Sequence, residues 1–149
     1  MQIQDMSASM CIDLLQRAKL GRLGCTQGLQ PYVVPISIAY QANFIYSFST
    51  LGQKIEWMQA NPLVCVEVDE IVSPREWLAV VIFGRYQELP DTPELQDTRL
   101  FAHYLLAKSA NWWEPGYVKT LHEGKERPLH PIYFRISIDK ITGHQGLSV

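Results

Sequence analysis

The sequence lacks most of the marks that assign a chain at sight. Its three cysteines, Cys11, Cys25 and Cys65, cannot complete a disulfide framework and show no metal-type spacing. His103, His122, His130 and His144 form neither an HxH nor an HExxH pattern, so no metal centre is expected. There is no basic excess: the formal net charge is −2, which argues against a nucleic-acid partner bound through a basic face. No apolar run approaches a membrane span, and MQIQDMSASM at the start has neither a basic nor an apolar leader region. A cytoplasmic, reducing setting is the expectation. The GxSxG elbow, the GxGxxG fingerprint and any nucleophile–base–orienter set are missing as well. Chemistry, if the protein performs any, is then expected from a cofactor, with no catalytic side chain assigned.

What is present is apolar. Hydrophobic residues make up 47% of the 149 and charged residues 19%, with four tryptophans and seven tyrosines. That length suits one domain with a sizeable core, and the apolar excess suits a subunit interface or a ligand groove. Apolar periodicity predicts a helix over Ser9 to Leu20, a short strand from Arg22 to Gln27, and a strand from Tyr32 to Tyr40. The tight connection QAN predicts that Phe44 to Ser49 returns as a hairpin partner. A helix containing Lys54 stops at Asn61-Pro62. Strands are predicted over Leu63 to Ile71 and over Trp77 to Leu89, the second with a bulge or bend at Gly84. A helix over Pro93 to Lys108, an irregular stretch and a strand beginning IYFRISIDKI complete the chain. About six mostly antiparallel strands with helices packed outside predict an α+β fold, a small β-barrel with added helices.

Three features carry functional readings. In FIYSFSTLGQKIEWMQANP (Phe44 to Pro62), Lys54 falls in the first turn of a helix, where the partial charge is already positive. A bound phosphate would account for it, with Ser47, Ser49 and Thr50 supplying hydroxyls and the helix start supplying N–H groups. A solvated lysine behind a Ser/Thr cap is the plainer alternative. Pro35, inside YVVPISIAY, removes a ladder donor; it marks an edge strand or a backbone turned toward a flat polar ligand. Trp112 and Trp113 cannot both enter one small core, so they cap it, fill a dimer contact or border an aromatic cofactor.

Taken together, GRL, PYVVP, IYS, GQK, the NP before the third long strand, WLAVVIFG and the closing FRISIDKITG resemble, in that order, the pyridoxamine 5′-phosphate oxidase-like FMN-binding split-barrel superfamily. The closest likeness is to its nitroimidazole-resistance-related flavoproteins. The resemblance implies a six-stranded antiparallel split β-barrel as a single domain over residues 1–149. It also implies a homodimer with FMN at the subunit interface and a small-molecule substrate. By position it makes Lys54 the phosphate-binding lysine, with Gln53 where the oxidases proper often carry arginine. Ser47 and Phe48 become cofactor contacts, with Ser49 and Thr50 leading into the helix. Val33, Val34, Pro35, Ile36 and Ser37 become the strand lining the flavin, Ala79 a contact from the partner subunit, and Trp113 a rim residue. The chain ends ITGHQGLSV, without the oxidases' substrate-binding terminus, so the vitamer oxidase activity is not expected. An FMN-dependent oxidoreductase fed by NAD(P)H is the leading expectation. A flavin carrier or sensor without turnover, a deazaflavin in place of FMN, and a haem-handling protein on the same fold remain open beside it.

Overall fold

A computed structural model describes residues 1–108, 119–122, 124–128 and 130–148, with backbone alone for 119–122 and 125–128. The elements are β1 (Gln2–Asp5), α1 (Ala8–Arg17), β2 (Leu20–Gln27), β3 (Gln30–Ser37), β4 (Ala39–Gln41), β5 (Phe44–Ser49) and α2 (Gln53–Ala60). They continue with β6 (Leu63–Ser73), β7 (Glu76–Glu88), α3 (Gln96–Ala107), β8 (Lys119–His122), β9 (Lys125–Pro128) and β10 (Ile132–Leu147). Eight strands form one sheet in the order β3-β2-β6-β7-β10-β5-β4, with β1 added on β10; β8 and β9 pair separately. All ladders are antiparallel. β10 holds β7 along one edge, and its other edge is shared by β5 at the start and β1 at the end.

The predicted six-stranded barrel is overturned. The sheet has eight strands and an open path, ending at β3 on one side and β4 on the other. The reason lies in β5, whose second edge is already taken by β4 through Ala39↔Tyr46, Tyr40↔Ile45 and Gln41↔Phe44. Ala42 (φ 48°) and Asn43 (φ 70°) make the tight hairpin turn that enforces this pairing. Pro35 leaves the free edge of β3 one donor short. In place of a ladder, a side chain crosses the seam: Ser47 Oγ donates to the Ser37 carbonyl at 2.6 Å.

Other differences follow from local geometry. β4 separates from β3 at Ile38, whose N–H turns to the Lys19 carbonyl (3.0 Å). The irregularity expected at Gly84 sits on the facing strand, where the β10 register shifts between Ile138 and Lys140. Gly84 permits it, because a Cβ there would collide with the Ser137 carbonyl. α3 buries Ala102 and Leu106, while Leu100 faces outward.

The core gathers Leu14 and Leu15 of α1, Leu23, Ile36, Ile45, Val66, Val80, Ile82, Phe134 and Ile136 from the sheet, and Ile55 and Met58 of α2. Each such aliphatic side chain contributes about 1.5–3 kcal/mol by leaving water. A second cluster, with Tyr46, Leu89, Ala102, Leu106 and Tyr133, lies under α3. The opposite face of β3, β2, β6 and β7 is also apolar in large part: Val33, Leu63, Ile71 and Phe83 are exposed on it. Strands apolar on both faces are characteristic of sheets covered on both sides. None of the described helices is long and apolar enough to cross a membrane.

Candidate functional site

The seam between β3 and β5 leads to the start of α2, and the residues singled out from the sequence on β3, on β5 and in the first turn of α2 lie along it. On β3, Val33 and Pro35 are exposed, Val34 and Ser37 half-buried, and Ile36 belongs to the core. On β5, Ser47 and Ser49 are buried; Phe48 is half-buried and tilted against Tyr133 with ring centroids 6.1 Å apart. Ser47 has its proton committed to Ser37, so toward a ligand its oxygen can only accept. Ser49 Oγ donates to the Thr50 carbonyl at 3.1 Å instead of capping the helix.

Gly52 therefore stands at the N-cap of α2, and no side chain caps it. The first amide with an intrahelical partner is that of Glu56, bonded to Gly52 at 3.0 Å. The amides of Gln53, Lys54 and Ile55 have no acceptor within the helix, as is so for the opening amides of any helix. Lys54 is half-buried, and burial pushes its ammonium below the ordinary lysine range; the nearby Cys25 pulls it partly back. No carboxylate among the described residues pairs with it. Burial pushes the Cys25 thiol up, with Lys54 opposing. A half-buried cation without a counter-ion among the described residues, beside the start of a helix, can receive an anion.

Next to Cys25 opens a cavity of ≈ 430 Å³ lined by Val33, Tyr32, Leu63, Cys65 and Phe83 among others. Val33 lines this cavity; Lys54 does not, and its link to it is through Cys25. Ala79 does not join them within the subunit. It lies on the outer face of β7, between Asp69 of β6 and His144 of β10, and lines a separate cavity of ≈ 320 Å³ with Glu67, Asp69 and Trp77. Trp112 and Trp113 lie outside the described residues.

Two clusters were not singled out from the sequence. Arg22 Nη1 lies 2.8 Å from Asp69 Oδ2 and 3.5 Å from Glu67 Oε1. That Glu67 oxygen is enclosed and receives no hydrogen bond. Burial first, then the hydrogen bond and charge of Asp69, push the Glu67 carboxyl up to about 7, against the pull of Arg22. The alternation in VEVDE placed both acids on one strand face, but only the register sets Arg22 opposite Glu67. On α3, His103 Nδ1 is 2.5 Å from the Tyr133 hydroxyl, and Arg99 lies over the same ring at 5.1 Å. No group of three or more metal-ligating side chains gathers among the described residues.

Comparison with known proteins agrees with this architecture. Residues 7–145 match the family described as pyridoxamine 5′-phosphate oxidase. The chain belongs to that family, within the FMN-binding split-barrel superfamily that the sequence resembles. It is 41% identical over 143 residues to an uncharacterized protein of Rhizobium meliloti (strain 1021), covering 96% of this chain and 95% of that one. Among solved structures it is similar to a FAD-binding protein from Mesorhizobium loti, with TM-score 0.81, 41% identity and coverage of 98% and 99%. A candidate 5-nitroimidazole antibiotic resistance protein from Bacteroides thetaiotaomicron shares the fold at TM-score 0.70, 17% identity and coverage of 97% and 87%.

Proposed function

We propose that the protein is a flavin-dependent oxidoreductase that binds FMN along the seam, works as a homodimer, and passes electrons from NAD(P)H to a small organic acceptor. The observation that carries the binding step is the uncapped start of α2 with its half-buried Lys54, unpaired among the described residues. Lys54 and the amides of Gln53, Lys54 and Ile55 would hold the phosphate; an anion satisfies both the charge and the open donors. The free edge of β3 from Val33 to Ser37 offers backbone groups to a flat polar ring, and Pro35 presents a carbonyl without a competing N–H. Ser47, fixed by Ser37, keeps the facing wall in place. A second copy over the exposed outer face would exclude water and bring its Ala79 toward the seam. When bound, the cofactor supplies hydride acceptance and release; the chain supplies position, charge and a dry setting.

One observation favours a variant of this reading. The Mesorhizobium loti protein, 41% identical, is described as FAD-binding, so the larger dinucleotide is the alternative occupant of the same phosphate site. An absorbance spectrum of the purified protein, with mass analysis of the released cofactor, separates FMN, FAD and deazaflavin. Bleaching by NADH or NADPH and reoxidation by added acceptors are expected. Flavin bands that no donor bleaches would mark a carrier or sensor, and a protein that takes up no flavin would end the proposal.

A further inference from the structure

We propose that pairing of two copies through the outer sheet face is proton-dependent: copies associate with Glu67 protonated and separate as it ionises. This rests on the homodimer reading above and adds its regulation. The register puts Arg22 and Pro35 on one side of Glu67 and Val81 and Thr142 on the other, so the carboxyl lies in the middle of the face. Exposed Val33, Leu63, Ile71 and Phe83 surround it.

The charges around it are few. From β2 comes Arg22, bonded to Asp69; from β6, Asp69 itself. β3 and β7 present Pro35 and Val81, and the next charge along β7, Arg85, is paired with Asp139 at 3.3 Å. β10 presents Thr142 between Lys140 and His144, the latter 3.4 Å from Asp5. The central cluster thus has one guanidinium for two carboxyls. With Glu67 protonated it is neutral, and the face can be covered by its own copy. With Glu67 ionised each copy brings a surplus negative charge to the same place, and the enclosed Oε1 has only the Arg22 guanidinium at 3.5 Å, already bonded to Asp69, to offset its desolvation. Burial and Asp69 already hold this carboxyl at about 7 in the single chain, so the change falls near neutrality. Covering the face raises it further, and association is therefore coupled to proton uptake.

Sedimentation of the flavin-loaded protein at falling concentration, at about pH 6 and about pH 8, tests this. The wild-type dimer is expected to dissociate about tenfold or more readily at the higher pH, since each titrating site contributes up to about tenfold per pH unit. Glu67→Gln should dimerise equally at both. Asp69→Asn, which leaves one guanidinium for one carboxyl and so a neutral cluster with Glu67 ionised, should lose the wild-type dissociation at the higher pH. Equal wild-type dissociation at both pH values, or a Glu67→Gln protein that keeps the full pH shift, overturns the proton coupling while leaving the dimer. A wild-type protein that is monomeric at every concentration and both pH values overturns the homodimer reading and the coupling together.

Discussion

Helices α1 and α2 pack on the same core, through Cys11, Leu14 and Leu15 in one case and Ile55 and Met58 in the other. Their ends are finished in opposite ways. α1 begins at Ser7, whose Oγ accepts from the Met10 amide at 3.2 Å, and closes with Arg17 in its last turn, held by Asp13 at 3.1 Å. α2 begins at Gly52 without a side-chain cap, carries Lys54 beside Glu56 in its first turn, and has no basic residue in its last. Folding caps α1 from within; the first turn of α2 has no side-chain cap, and its Lys54 forms no ion pair with Glu56 of the same turn or with any other described carboxylate. The start of α2 is thus left open to whatever meets it from outside the chain, water or a bound anion.

The comparison can be broken most severely at Lys54. Lys54→Ala should weaken FMN by about 1.5–3 kcal/mol, tenfold to a hundredfold or more, while riboflavin binding changes little; parallel fluorescence titrations of the two ligands read the difference. Equal losses for both ligands would place Lys54 away from the phosphate. The same loss is expected gradually in the parent protein as pH rises. Burial lowers the Lys54 ammonium, so affinity is present while it is protonated and is lost as pH climbs through that lowered range, below the ordinary 10.5. The Lys54→Ala protein should lack that alkaline limb.

A smaller effect is expected at the other helix. Ser7→Ala removes the α1 cap and should lower unfolding free energy by about 1 kcal/mol in a urea melt, with FMN affinity unchanged. The smallest effect comes from making α2 resemble α1. Gly52 has extended backbone (φ 174°), and an added Cβ meets nothing closer than the Thr50 carbonyl at 4.0 Å. Gly52→Ser should therefore stabilise the cofactor-free protein by a few tenths of a kcal/mol. It should also weaken FMN slightly, since a hydroxyl now occupies one of the amides; tighter FMN binding would argue against the anion reading.

The parts of this that were legible in the sequence are those written in short range. The apolar spacing in α1 and α2, the alternation in β6 and the turn before Phe44 each fix a local structure, and the ordered run from GRL to FRISIDKITG carried the family. Lys54, Ser47 and Ser49 lie within one strand–helix connection, so their neighbourhood could be read directly. Closure of the barrel could not be, because it depends on which strand takes the second edge of β5, and β4 is only three residues long. β1 escaped notice because all four of its residues are exposed and the one strand it pairs with among the described residues is β10. The Arg22–Glu67–Asp69 cluster and the His103–Tyr133 contact join elements far apart in the chain. Their residue types were visible, but the registers that bring them together were not.

β10 is the strand that joins the two parts of the sheet, with β6 and β7 on one side and the β4–β5 hairpin on the other. It is also synthesised after both. As the chain emerges from the ribosome, β2 and β3 can pair at once, and β6 and β7 can add to them. The β4–β5 hairpin must wait with its apolar side uncovered until Ile132–Leu147 has left the exit tunnel. Pairing of such high sequence separation is slow and leaves intermediates prone to aggregate. Expression yield should consequently respond more to interruption of β10 than to changes of equal thermodynamic size in β2 or β3.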